Sequence, residues 1–183
     1  DMADGDAIGV DEYRELVSEA QYSSGADLVV VDTQIIEPWQ ISKKSQMAGG
    51  LILPELQSGA YCLALTEPGR DSYHNLIAVL KQFAELGVDR DHVLTAVTKY
   101  SPDAKKELSF SLDNAINELQ GYSMFMGTVM SSKTAEGYVN AGRIEHADPS
   151  IAPVLDNTIR AVTGVQIESG AKPTKRRRWG RRR

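Results

Sequence analysis

Asp27-Leu28-Val29-Val30-Val31-Asp32-Thr33 sets four apolar residues, three of them β-branched, between Ser23-Ser24-Gly25 and a polar exit. An unbroken apolar run without polar alternation predicts a strand covered on both faces, as in a parallel sheet. Three later segments repeat the pattern: 61–65 (YCLAL), 92–97 (HVLTAV) and 124–129 (MFMGTV). Between them the apolar residues recur at helical spacing. The spacing predicts helices over 10–21, with Asp11 as cap, over 72–86 closing on Gly87, over 103–119 closing on Gly121, and over 150–162 ending near Gly164. Residues 34–60 carry the weakest pattern, a short helix over 39–48 followed by a break at Gly49-Gly50.

Strands alternating with helices predict an α/β fold: a three-layer parallel sheet of about four or five strands flanked by helices. One domain over 10–164 fits the length of 183 residues. Residues 1–9 read as an acidic loop or frayed end, and Asp1 followed by Met2 is compatible with a native start upstream. Residues 165–183 lose periodicity and read as a disordered basic tail.

The composition, 42% hydrophobic and 25% charged, is that of a soluble globular chain. No apolar stretch reaches the roughly 20 residues that a membrane helix needs, and no signal peptide opens the chain. A single cysteine, Cys62, excludes an internal disulfide and fits the cytoplasm; its apolar setting reads as a buried structural thiol. His74, His92 and His146 stand alone, without metal-ligand spacing. The net charge of −5 divides unevenly. Residues 1–171 hold 12 of the 20 basic and all 25 acidic side chains, a net of −13, while residues 172–183 carry eight basic residues and no acidic one.

In open parallel sheets ligands collect at the carboxyl ends of the strands. Here those ends are Asp32-Thr33, Thr66-Glu67, Thr98-Lys99 and Met130-Ser131-Ser132. Asp32, at the exit of an apolar strand, is the residue best suited to hold Mg²⁺ through water beside nucleotide phosphates. A turn or helix cap would use the same carboxylate. Gly127 through Thr134 imitates P-loop spacing, with Ser132 in place of the second glycine. Val129 and Met130 suit a strand better than a loop approaching phosphate, and Lys133 reads as a solvated lysine.

DLVVVDT at 27–33 resembles the Walker B segment of ParA/MinD-type partition ATPases. YCLALTEPGRDSYHNLIAVLKQF (61–83) is similar to that family's strand, polar loop and Ser-bearing helix, and HVLTAVTK (92–99) to the strand whose end approaches the base. MGTVMSSKTAEGYVNAGRIEHADPSIAPVLDNTIRAV (126–162) resembles its closing pattern of strand, base-contacting loop and Asp-Pro-capped helix. The resemblance spans about 10–164. It implies an ATP- and Mg²⁺-dependent homodimer that binds DNA without sequence preference and answers to a partition or conjugation partner protein. It also implies nucleotide contacts from Asp32, Thr33, Thr98, Lys99, Met130 and Ser131. The sequence departs from the family in having no K-G-G-x-x-x-K-T loop to cradle phosphates. This chain alone is therefore expected to be inactive. A GTPase reading fails at Ser101, where the guanine motif needs Asp. The remaining alternative is a non-catalytic α/β scaffold or nucleic-acid adaptor.

In the tail, Lys172, Lys175, Arg176, Arg177, Arg178, Arg181, Arg182 and Arg183 can neutralise phosphates, and Trp179 can stack on bases. Nonspecific DNA attachment is the reading taken. RNA, anionic lipid, an acidic partner and the acidic body of the chain itself are its rivals.

Overall fold

The computed structural model describes residues 9–25, 28–132 and 149–165. Helix α1 (Val10–Ser24) is followed by an extended, non-strand segment, a short α2 (Pro38–Ile41), and a π-helical turn (Ala48–Ile52) that runs into α3 (Leu53–Gln57). The αβ core follows: β1 (Cys62–Thr66), α4 (Arg70–Glu85), β2 (Val93–Tyr100), α5 (Ala104–Glu107), α6 (Leu112–Leu119), β3 (Met124–Met130) and α7 (Ile151–Thr163).

The three strands form one parallel sheet in the order β1-β2-β3. In this sheet β2 is central and buried on both faces. Val93 and Val97 face a core shared with α4, α6, Ile41 and Leu56. Leu94 and Ala96 face the opposite side, where Met126 and Val154 of α7 cover them. The result is a helix–sheet–helix sandwich, as the unbroken apolar runs of 92–97 and 124–129 require. Helix α4 is the principal cover of the first face. Tyr73, Leu76, Ile77, Leu80 and Phe83 recur along one stripe and are buried.

Several sequence expectations need correction. Residues 28–31 form no strand: Val30 is 83% and Leu28 53% exposed. A strand exists only by pairing, and among the described residues this segment has no ladder partner, so its composition goes unused. The described sheet thus has three strands rather than four or five. The helix expected over 103–119 is divided, because Ser109 turns left-handed at φ 53° and separates α5 from α6. The cap of α1 is not Asp11, which pairs instead with Arg14 at 2.8 Å. Glu12 reaches back to accept from the Gly9 N–H at 2.9 Å. Residues 1–8 and the tail, 166–183, lie outside the described residues.

Gly49-Gly50 is no break. Both glycines are buried inside the π-turn, where a Cβ on Gly49 would strike the carbonyls of Ile41 and Lys43, and one on Gly50 the carbonyl of Lys44. The missing side chains let one backbone segment lie directly on another. Arg14 then locks α1 to this turn by donating to the Gly50 carbonyl at 2.6 Å. Replacing Gly50 with Ala should lower the unfolding free energy by about 3 kcal/mol, the upper range for overpacking. Gly69→Ala, where a Cβ meets no atom within 4 Å, should change it by less than about 0.5 kcal/mol. Urea unfolding of the two variants beside the parent checks the difference.

Candidate functional site

The carboxyl ends of the three strands meet at one edge of the sheet because the strands are parallel. Thr66 ends β1 and is buried, its hydroxyl 3.1 Å from that of Ser72 in the first turn of α4. The Ser72 hydroxyl also accepts the Glu67 N–H at 3.3 Å, pinning the turn that leaves the strand. On β2 the Thr98 hydroxyl donates to the Thr66 carbonyl at 3.3 Å.

The ladder is irregular at this point. Val97 pairs with Thr128 but Tyr100 with Met130, so β2 has one residue more than β3 across the same span. The surplus is a β-bulge, and Lys99 within it adopts φ 51°, a left-handed conformation uncommon for a side-chain-bearing residue. Lys99 Nζ crosses to the exit of β1 and pairs with Glu67 Oε1 at 2.6 Å. Bulges of this kind re-aim side chains next to functional sites. On the far side the Ser131 N–H donates to the Tyr100 carbonyl at 2.7 Å. The Met130 N–H donates to the Ser150 hydroxyl at 2.9 Å, which fixes the start of α7 against the end of β3.

Of the residues expected at the site, Thr98, Lys99, Met130 and Ser131 therefore gather at one sheet edge. Thr98 and Lys99 belong to the strand itself rather than to a loop after it. Asp32 and Thr33 lie exposed in the non-strand segment, and among the described residues no hydrogen bond or ion pair joins them to Thr66, Glu67 or Thr98. That segment is fastened to the body further on, where Asn75 of α4 donates to the Ile36 carbonyl at 2.9 Å. Ser72, which the sequence shows only as the serine of the helix after β1, is a further contributor at these strand ends. Its signal was its place six residues after Thr66, one helical turn into α4. The tail residues from Lys172 to Arg183 lie outside the described residues.

Of the P-loop imitation, residues 127–132 are described. Gly127 through Met130 are strand, and Gly127, at φ 142°, faces α7, where a Cβ would come within 3.0 Å of Val154 Cγ2. Its glycine serves helix–sheet packing. Lys133 and Thr134 are outside the described residues. A cleft of about 550 Å³ lies elsewhere, between α1 and the π-turn, bordered by Val10, Arg14, Lys44, Gly49 and Gly50. Its Arg14 is already committed to Asp11 and the Gly50 carbonyl. Among the described residues no group of three or more His, Cys, Asp or Glu is placed to hold a metal ion, and no helix is long and apolar enough to cross a membrane.

Two networks, one buried and one part-buried, are structural. The Ser123 hydroxyl donates to the Leu119 carbonyl at 2.8 Å, so the Thr95 hydroxyl must donate the 2.8 Å bond between the two side chains. Tyr73 donates to Glu118 at 2.6 Å; burial first, then that carboxylate, raise its pKa.

Comparison with protein-family models, with curated proteins and with solved structures returned no match.

Cys62 tests the first core directly. Burial pushes its thiol from 9.0 up to about 11, because a thiolate there would lose its water. The shift is upward, so its stabilising effect is whole below about pH 9 and is lost as pH rises through 11. Between these limits the parent should lose on the order of 2 kcal/mol more than Cys62→Ala does, with Tyr73 contributing equally to both proteins. Denaturant midpoints across the alkaline range report the two slopes, and equal slopes would refute desolvation of this partly buried thiol.

Proposed function

We propose that this chain is a ParA/MinD-like ATP-binding protein, or the C-terminal part of one, serving plasmid or chromosome partition or DNA transfer. The observation that most supports this reading is the state of β1. Its outer edge has no strand partner among the described residues, Leu63 and Leu65 remain exposed, and the strand-like segment 28–31 lies unpaired. An unpaired parallel edge is a template for a further strand. A parallel strand added there and carrying a K-G-G-x-x-x-K-T loop would deliver that loop beside Thr66, Glu67, Thr98 and Lys99, because parallel strands end on the same side.

In this reading Asp32 holds Mg²⁺ through water, while Thr33, Thr98, Lys99, Met130 and Ser131 approach the nucleotide. ATP closes a homodimer, the dimer attaches to DNA, and hydrolysis stimulated by a partner protein releases it. The tail supplies the phosphate-neutralising charge. The chain without its P-loop strand does not turn over ATP. A second reading, a non-catalytic scaffold or nucleic-acid adaptor, is favoured by the internal partners of the strand-end groups: Glu67 with Lys99, and Thr66 with Ser72.

Mg-ATP titration separates the two readings. Residues 1–183 alone should show no saturable binding. A product of the same reading frame extended upstream through a K-G-G-x-x-x-K-T segment should bind, and Asp32→Ala should weaken that binding at least tenfold. Tight binding by residues 1–183 would overturn the expectation that the chain alone is inactive for want of a P-loop. An upstream frame without the segment would reject the ATPase assignment in favour of the scaffold. For the tail, removing residues 172–183 should reduce DNA affinity and flatten its salt dependence, since each neutralised phosphate adds about −0.9 to the slope of log K against log salt. Equal affinities with and without the tail at two salt concentrations would remove it from the mechanism.

A further inference from the structure

We propose that the Glu67 carboxylate is a built-in occupant of an anion site at the strand ends, and that a phosphate-bearing ligand binds by displacing it from Lys99. The proposal rests on the nucleotide-site reading above and adds its regulation. Lys99 Nζ meets Glu67 Oε1 at 2.6 Å, although both side chains are more than half exposed, at 60% and 51%. An exposed pair of two flexible side chains is ordinarily loose, because holding it costs side-chain entropy. Here both ends are fixed by backbone. The bulge with its left-handed Lys99 aims the cation back toward β1. At the other end the Ser72 hydroxyl accepts the Glu67 N–H and holds the carboxylate's own backbone beside it.

Thr66, Ser72 and Thr98 place three hydroxyls around the same strand exits. A cation among hydroxyls at the carboxyl edge of a parallel sheet is chemistry suited to phosphate. Glu67 places on the cation a carboxylate from the same chain, with the high effective concentration of a tethered ligand. A phosphate entering must therefore compete with Glu67, which weakens binding without blocking it.

Inorganic pyrophosphate, titrated into the full 183-residue chain and followed by amide chemical shifts, tests this without ATP or a P-loop. Glu67→Gln should raise pyrophosphate affinity about fivefold, the scale on which an exposed pair can compete. Asp71→Asn removes the same charge four residues on, in the first turn of α4, and should raise affinity less than about twofold. In the Glu67→Gln background, Lys99→Asn should abolish the gain, because Asn tolerates the left-handed backbone but carries no cation. Equal affinity for the parent and Glu67→Gln, no binding to either, or a gain that survives Lys99→Asn would overturn the proposal. None of these results depends on whether an upstream P-loop confers ATP binding, so the two readings can fail separately.

Discussion

Burial of β2 on both faces is the constraint from which the described structure follows. A strand with Val93 and Val97 in one core and Leu94 and Ala96 in the other leaves no route for water to its backbone. Its N–H and C=O groups must be met by protein on both sides. Strands β1 and β3 meet that demand in parallel, and parallel strands need crossovers, which α4 and α6 supply on one face. Covering the other face falls to α7, and the cover works only because Gly127 lets Val154 approach the sheet. The Asn157 side chain adds a tie by donating to the Met126 carbonyl at 2.8 Å. The pleat of one strand thus dictates where the helices lie.

The same ladder explains where the chemistry gathers. Where strands leave the sheet, backbone groups lose their partners and hydroxyls take over, as Thr66, Ser72 and Thr98 do. The bulge at Lys99 adds a cation at that boundary. Left-handed φ on a lysine is disfavoured and persists only where surrounding structure holds it. Here the resumed pairing of Tyr100 with Met130 supplies the constraint on one side, and the pairing of Ala96 with Gly127 and Val97 with Thr128 supplies it on the other. The ion pair to Glu67 is a consequence of that backbone geometry.

How far the sequence foretold this depends on the range of each interaction. Strands β1, β2 and β3 and helices α4 and α7 were legible because their apolar patterns match the layers that bury them. Gly87 and Gly164, which take left-handed φ of 78° and 69°, mark the ends of the two helices as expected. Gly49-Gly50 misled because glycine signals both breaks and close approach, and only the carbonyls of 41–44 decide between them. The bulge was invisible for a similar reason. A register shift is a property of two strands, and no single strand records it. Ser72 was read only as the serine of a helix and not as part of the site, because a serine early in a helix is ordinary until its partner on the preceding strand is known.

Residues 28–31 make the limit clearest. Their composition is a statement about what they pair with as much as about what they are. Each β-branched residue favours a strand by at most about 1 kcal/mol, and that preference largely reports packing against neighbours. With no neighbouring edge the preference has nothing to act on, and Val30 stays in water. Edge β1 has the opposite lack: hydrogen-bonding groups in strand geometry, leucines in the open, and no partner on that side among the described residues. Direct pairing of these two parts would satisfy both, yet the structure leaves them apart. A strand lying between them would serve each at once, giving 28–31 an edge and bringing Asp32 to the carboxyl end of the same sheet as Lys99. The open edge and the exposed Asp32 would thus be answered by one added strand, and this links the fold to the proposed nucleotide site.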